Sequence, residues 1–254
     1  MAQPRKTALV TGGARRIGAA IARDLARHGF AVAVHHHGSH AVAEALVDEI
    51  GNAGGTAVAL AADLRDRTEA RTLIDEATGA LGPVSLLVNN ASLFVNDSLA
   101  TIDAEIWDGH FAVHVEAPVA LTAGMAEALP ENETGLVVNM IDQRVWRLTP
   151  RFFSYTLSKS ALWTATRTMA QALAPRIRVN AIGPGPALPN ERQSAEDFKR
   201  QAEAVPLGRG PALDEFGATI QWLWETPSVT GQMIALDGGQ HLAWQTPDVT
   251  GARE

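Results

Sequence analysis

The sequence predicts an α/β protein: one doubly wound parallel sheet of about seven strands, with helices on both faces. Three observations carry that expectation. Seven short β-rich runs alternate with longer segments of helical pattern, in a regular β-α-β-α rhythm. Most of the short runs are continuously apolar rather than alternating, as strands covered on both faces must be. The 254 residues, 46% hydrophobic and 19% charged, suffice for one large core rather than several small ones, so 1–254 is read as one domain.

The elements follow in order. TALVT (7–11) is the first strand, ended by a glycine pair, and a helix follows near 15–28. FAVAVHHH (30–37), TAVALAA (56–62) and VSLLVNN (84–90) are the next strands, separated by helices near 40–53 and 66–81. A long helical pattern at 103–128 precedes GLVVNMI (135–141), and another at 153–174 precedes IRVNAI (177–182). A helix at 213–225 leads to the last strand, QMIALD (232–237). One stretch breaks the rhythm: 183–211 is rich in Pro and Gly around a short helical patch, SAEDFKRQAEAV. A long excursion at the carboxyl end of a parallel strand lies where open sheets bind ligands, so it reads as a substrate lid; the bland alternative is a surface insertion. Residues 1–6 and 246–254 read as short tails.

The formal charge of -7 argues against general nucleic-acid binding, which wants a basic surface. With no cysteine, disulfides and thiolate metal sites are excluded. No run of about 18 apolar residues spans a membrane and no apolar signal region opens the chain, so the expected location is the cytoplasm.

The turn T-G-x-x-x-R-I-G links the first strand to a helix, with Gly12, Gly13 and Gly18. Glycines there let the backbone approach a pyrophosphate at a positive helix N-terminus. A lone glycine-rich turn is also an ordinary structural turn. Three further pieces, Asn89-Asn90-Ala91, Tyr155-x-x-x-Lys159 and Pro184-Gly185, follow in order along nearly the whole chain. Together they resemble the short-chain dehydrogenase/reductase family, whose fold is Rossmann-like.

The resemblance implies a nicotinamide dinucleotide held by Gly12, Ile17, Gly18, Asn90, Ala91, Ser92, Lys159, Pro184 and Gly185, with Asp63 and Leu64 at the adenine. Asp63 reads equally well as a helix cap. An NAD site would usually place an acid after the second strand. This chain offers Arg15, Arg16, His37 and Ser39 instead, Arg16 standing where most members have glycine, and guanidinium pairs well with phosphate. NADPH is therefore the expected cofactor. The three histidines 35–37 alternate between strand faces and cannot chelate as one set, so no metal is expected.

Tyr155 and Lys159, four apart, share one helix face. The resemblance implies that Tyr155 moves the substrate proton and that Lys159 lowers its pKa and holds the nicotinamide ribose. His114 stands where many members have an Asn; it either orients a water or carbonyl, or is a packed core histidine. Asp142 stands where most have a serine that donates to a substrate carbonyl. An ionised carboxylate cannot donate. It can accept from the N–H groups of an aminopyrimidine-type ring and assist protonation of a ring imine.

Arg16, the HHHGS segment, Asn-Asn-Ala-Ser-x-Phe at 89–94, Asp142 thirteen residues before Tyr155, and Leu236-Asp237-Gly238-Gly239 resemble the pteridine reductase branch, dihydromonapterin reductases included. That resemblance implies hydride transfer to a ring C=N of a pterin-like substrate, dihydropterin to tetrahydropterin. Asp142 and Tyr155 would contact the ring, and Phe94 would stack on it, unless Phe94 is ordinary core. Gly38 departs from the branch, which often has Arg there. Arg144 and Trp146 either shape the pocket or pack at a subunit contact. Relatives are commonly tetramers, which implies a homotetramer through the two long helices and the C-terminal region; Trp222 and Trp224 read as interface or core. The rival readings are a general carbonyl or 3-oxoacyl reductase and a non-enzymatic NADPH-binding scaffold.

Overall fold

The structure, a computed structural model, describes residues 6–189 and 193–245. The expected terminal tails lie almost wholly outside the described residues, as do positions 190–192 of the expected lid. Among the described residues seven strands form one sheet: β1 Thr7–Val10, β2 Ala31–His36, β3 Thr56–Ala61, β4 Val84–Asn89, β5 Gly135–Met140, β6 Ile177–Pro184 and β7 Met233–Leu236. Their spatial order is β3-β2-β1-β4-β5-β6-β7, and every neighbouring pair is parallel.

The helices are α1 Arg16–Arg27, α2 His40–Asn52, α3 Arg67–Leu81, α4 Ala104–Phe111, α5 Ala117–Ala128, α6 Phe153–Leu173, α7 Ala195–Glu203 and α8 Leu213–Glu225. One core cluster joins the sheet to α1, α2 and α8 through Ile21, Leu25, Leu46, Ile50, Phe216 and Ile220. A second, on the other face, joins it to α3, α5 and α6 through Leu73, Ile74, Leu121, Met125 and Ala170. β1, β2, β4 and β5 are buried along their whole length because both faces are covered, which explains their unbroken apolar runs.

The chain winds outward from β1 to β3, then returns to start β4 on the other side of β1. That reversal opens a crevice at the carboxyl ends of β1 and β4, the switch point where such sheets hold ligands. The continuous helix expected at 103–128 is interrupted by a π-helical turn at Ala112–Glu116. Pro118 lies at the start of α5 and has no N–H for the carbonyl one turn earlier, so the regular ladder gives way there. No helix among the described residues is long and apolar enough to cross a membrane.

Candidate active site

The crevice is built first from backbone. Gly12 sits at φ +58, a left-handed conformation that favours glycine. A Cβ on Gly18 would lie 2.6 Å from Asn90 Nδ2, so only glycine lets α1 start this close to the β4 end. Asn90 Nδ2 donates to the carbonyls of Thr11 and Gly12 at 2.9 and 3.0 Å, while Thr11 Oγ1 accepts from the Asn90 and Ala91 amides. Gly12 N donates to His35 Nδ1 at 3.0 Å, which leaves His35 Nε2–H to donate to Ala62 O at 3.0 Å. Burial holds the His35 pKa down at about 4, so the ring is a neutral brace across three strand ends. His36 lies against His40, and His37 is exposed. Among the described residues no three His, Asp or Glu side chains are grouped to hold a metal.

Two cavities flank this turn. The first, about 400 Å³, is lined by Arg15, His37, Ser39, Asp63 and Leu64, with Ala91 and Ser92 at its inner end. Asp63 is not a helix cap: Asp66 caps α3, and Asp63 pairs with Arg65, whose guanidinium lowers its pKa to about 2. The second, about 950 Å³, is lined by Arg16, Ser92, Phe94, Asp142, Pro184 and Gly185 among others.

Three of the expected cofactor residues are placed as follows. Arg16 does not join Arg15 in the first cavity; it faces the second, at φ +55, and donates to Pro189 O at 2.8 Å. The Ile17 side chain is partly buried and packs against the core beneath α1. Asn90 ties the glycine turn together through the Thr11 and Gly12 carbonyls. The turn nonetheless fits a dinucleotide pyrophosphate. Arg15, the α1 N-cap, makes no side-chain capping bond and the first turn holds no acid, so first-turn N–H groups are left for an anion.

At the chemistry end Tyr155 Oη donates to Asp142 Oδ2 at 3.0 Å. Asp142 Oδ1 accepts from Arg144 N at 2.9 Å and caps a short 3₁₀ turn, Gln143–Val145. Lys159 is buried and donates to Met140 O at 2.7 Å, with Nζ 5.8 Å from the Tyr155 ring centre. Burial lowers its pKa to about 8, opposed by Asp142. Burial raises the Asp142 pKa against the pull of Arg144, its backbone bond, Tyr155 and Lys159. Burial and then Asp142 hold the Tyr155 pKa well above its usual value, while Arg144 and Ser92 oppose them. The Lys159 ammonium donates to the Met140 carbonyl, and the Asp142 carboxylate stands next to the Tyr155 phenol.

His114 is neither solvated nor an idle core residue. Its Nε2 accepts from Leu93 N at 3.1 Å and lies 2.9 Å from Ser92 Oγ; Nδ1–H is left for Ser158 Oγ at 2.8 Å, which donates on to Tyr155 O. Burial keeps its pKa well below the usual value, so the ring stays neutral. His110 repeats the arrangement one turn earlier, with Ser154 at 2.7 Å and Val95 N, while Asp97 accepts the Ser154 amide. Sequence reasoning missed His110, Asp97, Ser154 and Ser158. The matching i, i+4 spacings in α4 to the π turn (110, 114) and in α6 (154, 158) were the available signal.

Phe94 is 36% exposed, so it is not core. Its ring meets Tyr155 edge-on at 4.9 Å and stacks on Phe152 at 4.4 Å. Arg144 turns inward over both phenyl rings, whereas Trp146 turns away to His241 and Trp163. Trp224 packs on Phe30, and Trp222 is 45% exposed. Pro186, Leu188, Gln193, Asp197 and Gln201 of the 183–211 excursion line the second cavity.

A sequence model of the short chain dehydrogenase family matches residues 6–199. The chain belongs to that family. It is 59% identical to the FolM alternative dihydrofolate reductase 1 of Brucella canis, solved in complex with NADP, with a TM-score of 0.95 over 97% of this chain and 98% of that one. It is 33% identical to an uncharacterised oxidoreductase of Methylorubrum extorquens, over 92% of this chain and 97% of the relative. A 3-oxoacyl-[acyl-carrier-protein] reductase of Staphylococcus epidermidis is 30% identical, over 93% and 99%.

Proposed function

We propose that this oxidoreductase is an NADPH-dependent reductase of a pterin-like ring, converting a dihydropterin to a tetrahydropterin at a ring C=N bond. The observation that carries the reading is the 3.0 Å bond from Tyr155 Oη to Asp142 Oδ2. A serine at position 142 would donate to a substrate carbonyl; this carboxylate accepts, and so favours a ring that offers N–H groups.

NADPH, when bound, supplies the hydride. Arg15, His37 and Ser39 would take its phosphate end, the α1 N-terminus its pyrophosphate, and Lys159 its nicotinamide ribose. The chain's own residues handle the proton. The Tyr155 hydroxyl carries its proton, which it donates to Asp142, and is the group placed to pass a proton to the ring. Asp142 keeps free lone pairs beyond its two bonds, so it can anchor a ring N–H while still bonded to Tyr155. With hydride delivered to the ring carbon, Tyr155 would protonate the adjacent nitrogen and regain its proton from solvent, while Asp142, an acceptor, holds the ring N–H. Phe94 offers a flat apolar surface beside this pair for the heteroaromatic ring. The solved relative named as an alternative dihydrofolate reductase supports the pterin-type reading.

The test is NADPH oxidation with dihydropterins against a panel of ketones and a 3-oxoacyl thioester. Faster turnover of the oxo substrates would favour the 3-oxoacyl reductase reading suggested by the staphylococcal relative. Cofactor binding with no turnover of any candidate would favour a scaffold. We further propose a homotetramer through α4–α5 and α6, which leave Val119 and Leu157 exposed; sedimentation velocity checks it.

A further inference from the structure

The second cavity extends past Phe94 and Asp142 to an outer wall that carries two cations. Arg144 and Arg151 both lie against the ring of Phe152, with guanidinium carbons 4.8 and 5.8 Å from its centre. Phe152 is held at φ +55, a left-handed conformation that is rare and costly for an aromatic residue, and its ring lies within 9° of parallel to Phe94. Arg144 sits 5.2 Å over Phe94 as well. The strained backbone thus holds two aromatic rings and two guanidinium groups as one wall, beside the Tyr155–Asp142 pair.

The two guanidinium groups on that wall make no ion pair among the described residues, although Arg23, Arg27, Arg65, Arg67, Arg200 and Arg209 all do, in a chain of net charge -7. Asp142 takes the backbone N–H of Arg144, not its guanidinium. Asp197, on the same cavity, is held by Arg200 and Ser194. Among the described residues the buried Arg144 Nη1 has no hydrogen-bond partner. Guanidinium N–H edges match a carboxylate in geometry and charge.

We propose that Arg144 and Arg151 form a subsite for a carboxylate tail attached to the reduced ring, so that the enzyme prefers an acyl-glutamate-bearing dihydropterin over one with a neutral polyhydroxyl tail. This rests on the ring-reduction reading above. A neutral tail would need only amide partners such as Gln193, Gln201 and Gln240, which line the same cavity. The two arginines come from the β5–α6 segment, apart from the α1 turn that suits the dinucleotide phosphates.

The test compares dihydrofolate with a dihydropterin carrying a short neutral tail, in the wild type and in the Arg144→Gln, Arg151→Gln and Arg151→Lys variants. The expected result is an about tenfold fall in the dihydrofolate-to-dihydropterin ratio of kcat/KM for each Gln variant, with most of the ratio kept in Arg151→Lys. An unchanged ratio in both Gln variants overturns the proposal, as does an equal loss of NADPH affinity. A second arm titrates p-aminobenzoyl-glutamate into the NADP-loaded protein by calorimetry. Binding that weakens about tenfold in the Gln variants supports the subsite, and no binding to the wild type overturns it. If the wild type reduces neither substrate but binds the fragment through the two arginines, the ring-reduction reading fails and the subsite stands.

Discussion

The two ends of the crevice are made of different material. At the dinucleotide end the shape comes from backbone: two glycines, the α1 N-terminus, and the His35 and Asn90 side chains spent on bracing carbonyls and amides. At the substrate end it comes from side chains delivered by three separate segments, 92–97, 110–114 and 142–159, with Phe152 held at positive φ and Gln143 Oε1 and Arg144 Nη1 buried without partners among the described residues. A group common to a whole family can be held by main chain that varies little. A particular substrate needs side chains left with unused hydrogen-bonding capacity and stored strain, which its binding then uses.

The contrast can be broken by experiment. The largest effect is expected from Asp142→Asn, which removes the acceptor charge at Tyr155 but touches nothing at the glycine turn. Dihydropterin turnover should fall on the order of 10² to 10⁴-fold while the NADPH dissociation constant stays within about twofold. Near-normal turnover in stopped-flow assays would end the proposed role of the carboxylate.

Next is the acid stability of the dinucleotide end. His35 has a folded pKa of about 4 against an unfolded value near 6.5. The unfolded chain therefore binds the proton first as pH falls, and stability is lost between pH 6.5 and 4. The loss is about 3 kcal/mol from this ring alone. Urea unfolding at pH 7 and pH 4.5 should show that fall, and His35→Gln should flatten it; an equal slope in the variant would move the effect elsewhere.

His114→Leu leaves the Leu93 amide unpaired and removes the donor to Ser158 Oγ, which keeps its bond to Tyr155 O; the loss should cost about 2 kcal/mol. Thermal melts of the Leu and Asn variants measure it, with Asn milder because it can accept and donate. The smallest effect is expected at the exposed rim of the first cavity. Arg15→Ala should reduce the NADPH-over-NADH preference about tenfold, read as the ratio of kcat/KM values.

Much of this was legible in the chain itself. The apolar runs located every strand to within about two residues, and the order of the glycine turn, Asn-Asn-Ala and Tyr155-x-x-x-Lys159 located the crevice. Asp142 beside Tyr155 was legible too, because a fixed spacing from β5 to α6 brings them together. The long helix at 103–128 was misread at Ala112–Glu116, where Pro118 forces a π turn that hydrophobic periodicity does not register.

By itself the sequence determined the layered α/β class, the turn that needs glycine, and the placing of Tyr155 and Lys159 on one helix face. These are local: they depend on side-chain period, on which residue tolerates a given φ, and on residues one helical turn apart. Only the tertiary structure decided that Arg16 faces away from Arg15, that Lys159 spends its proton on Met140 rather than on the phenol, and that His114 ties Ser92 to Ser158. It also decided that Arg144 lies on Phe94 and Phe152. Each of these depends on where a long side chain points across a gap between distant segments, and on how far burial shifts its charge. Neither quantity is set until the segments have packed.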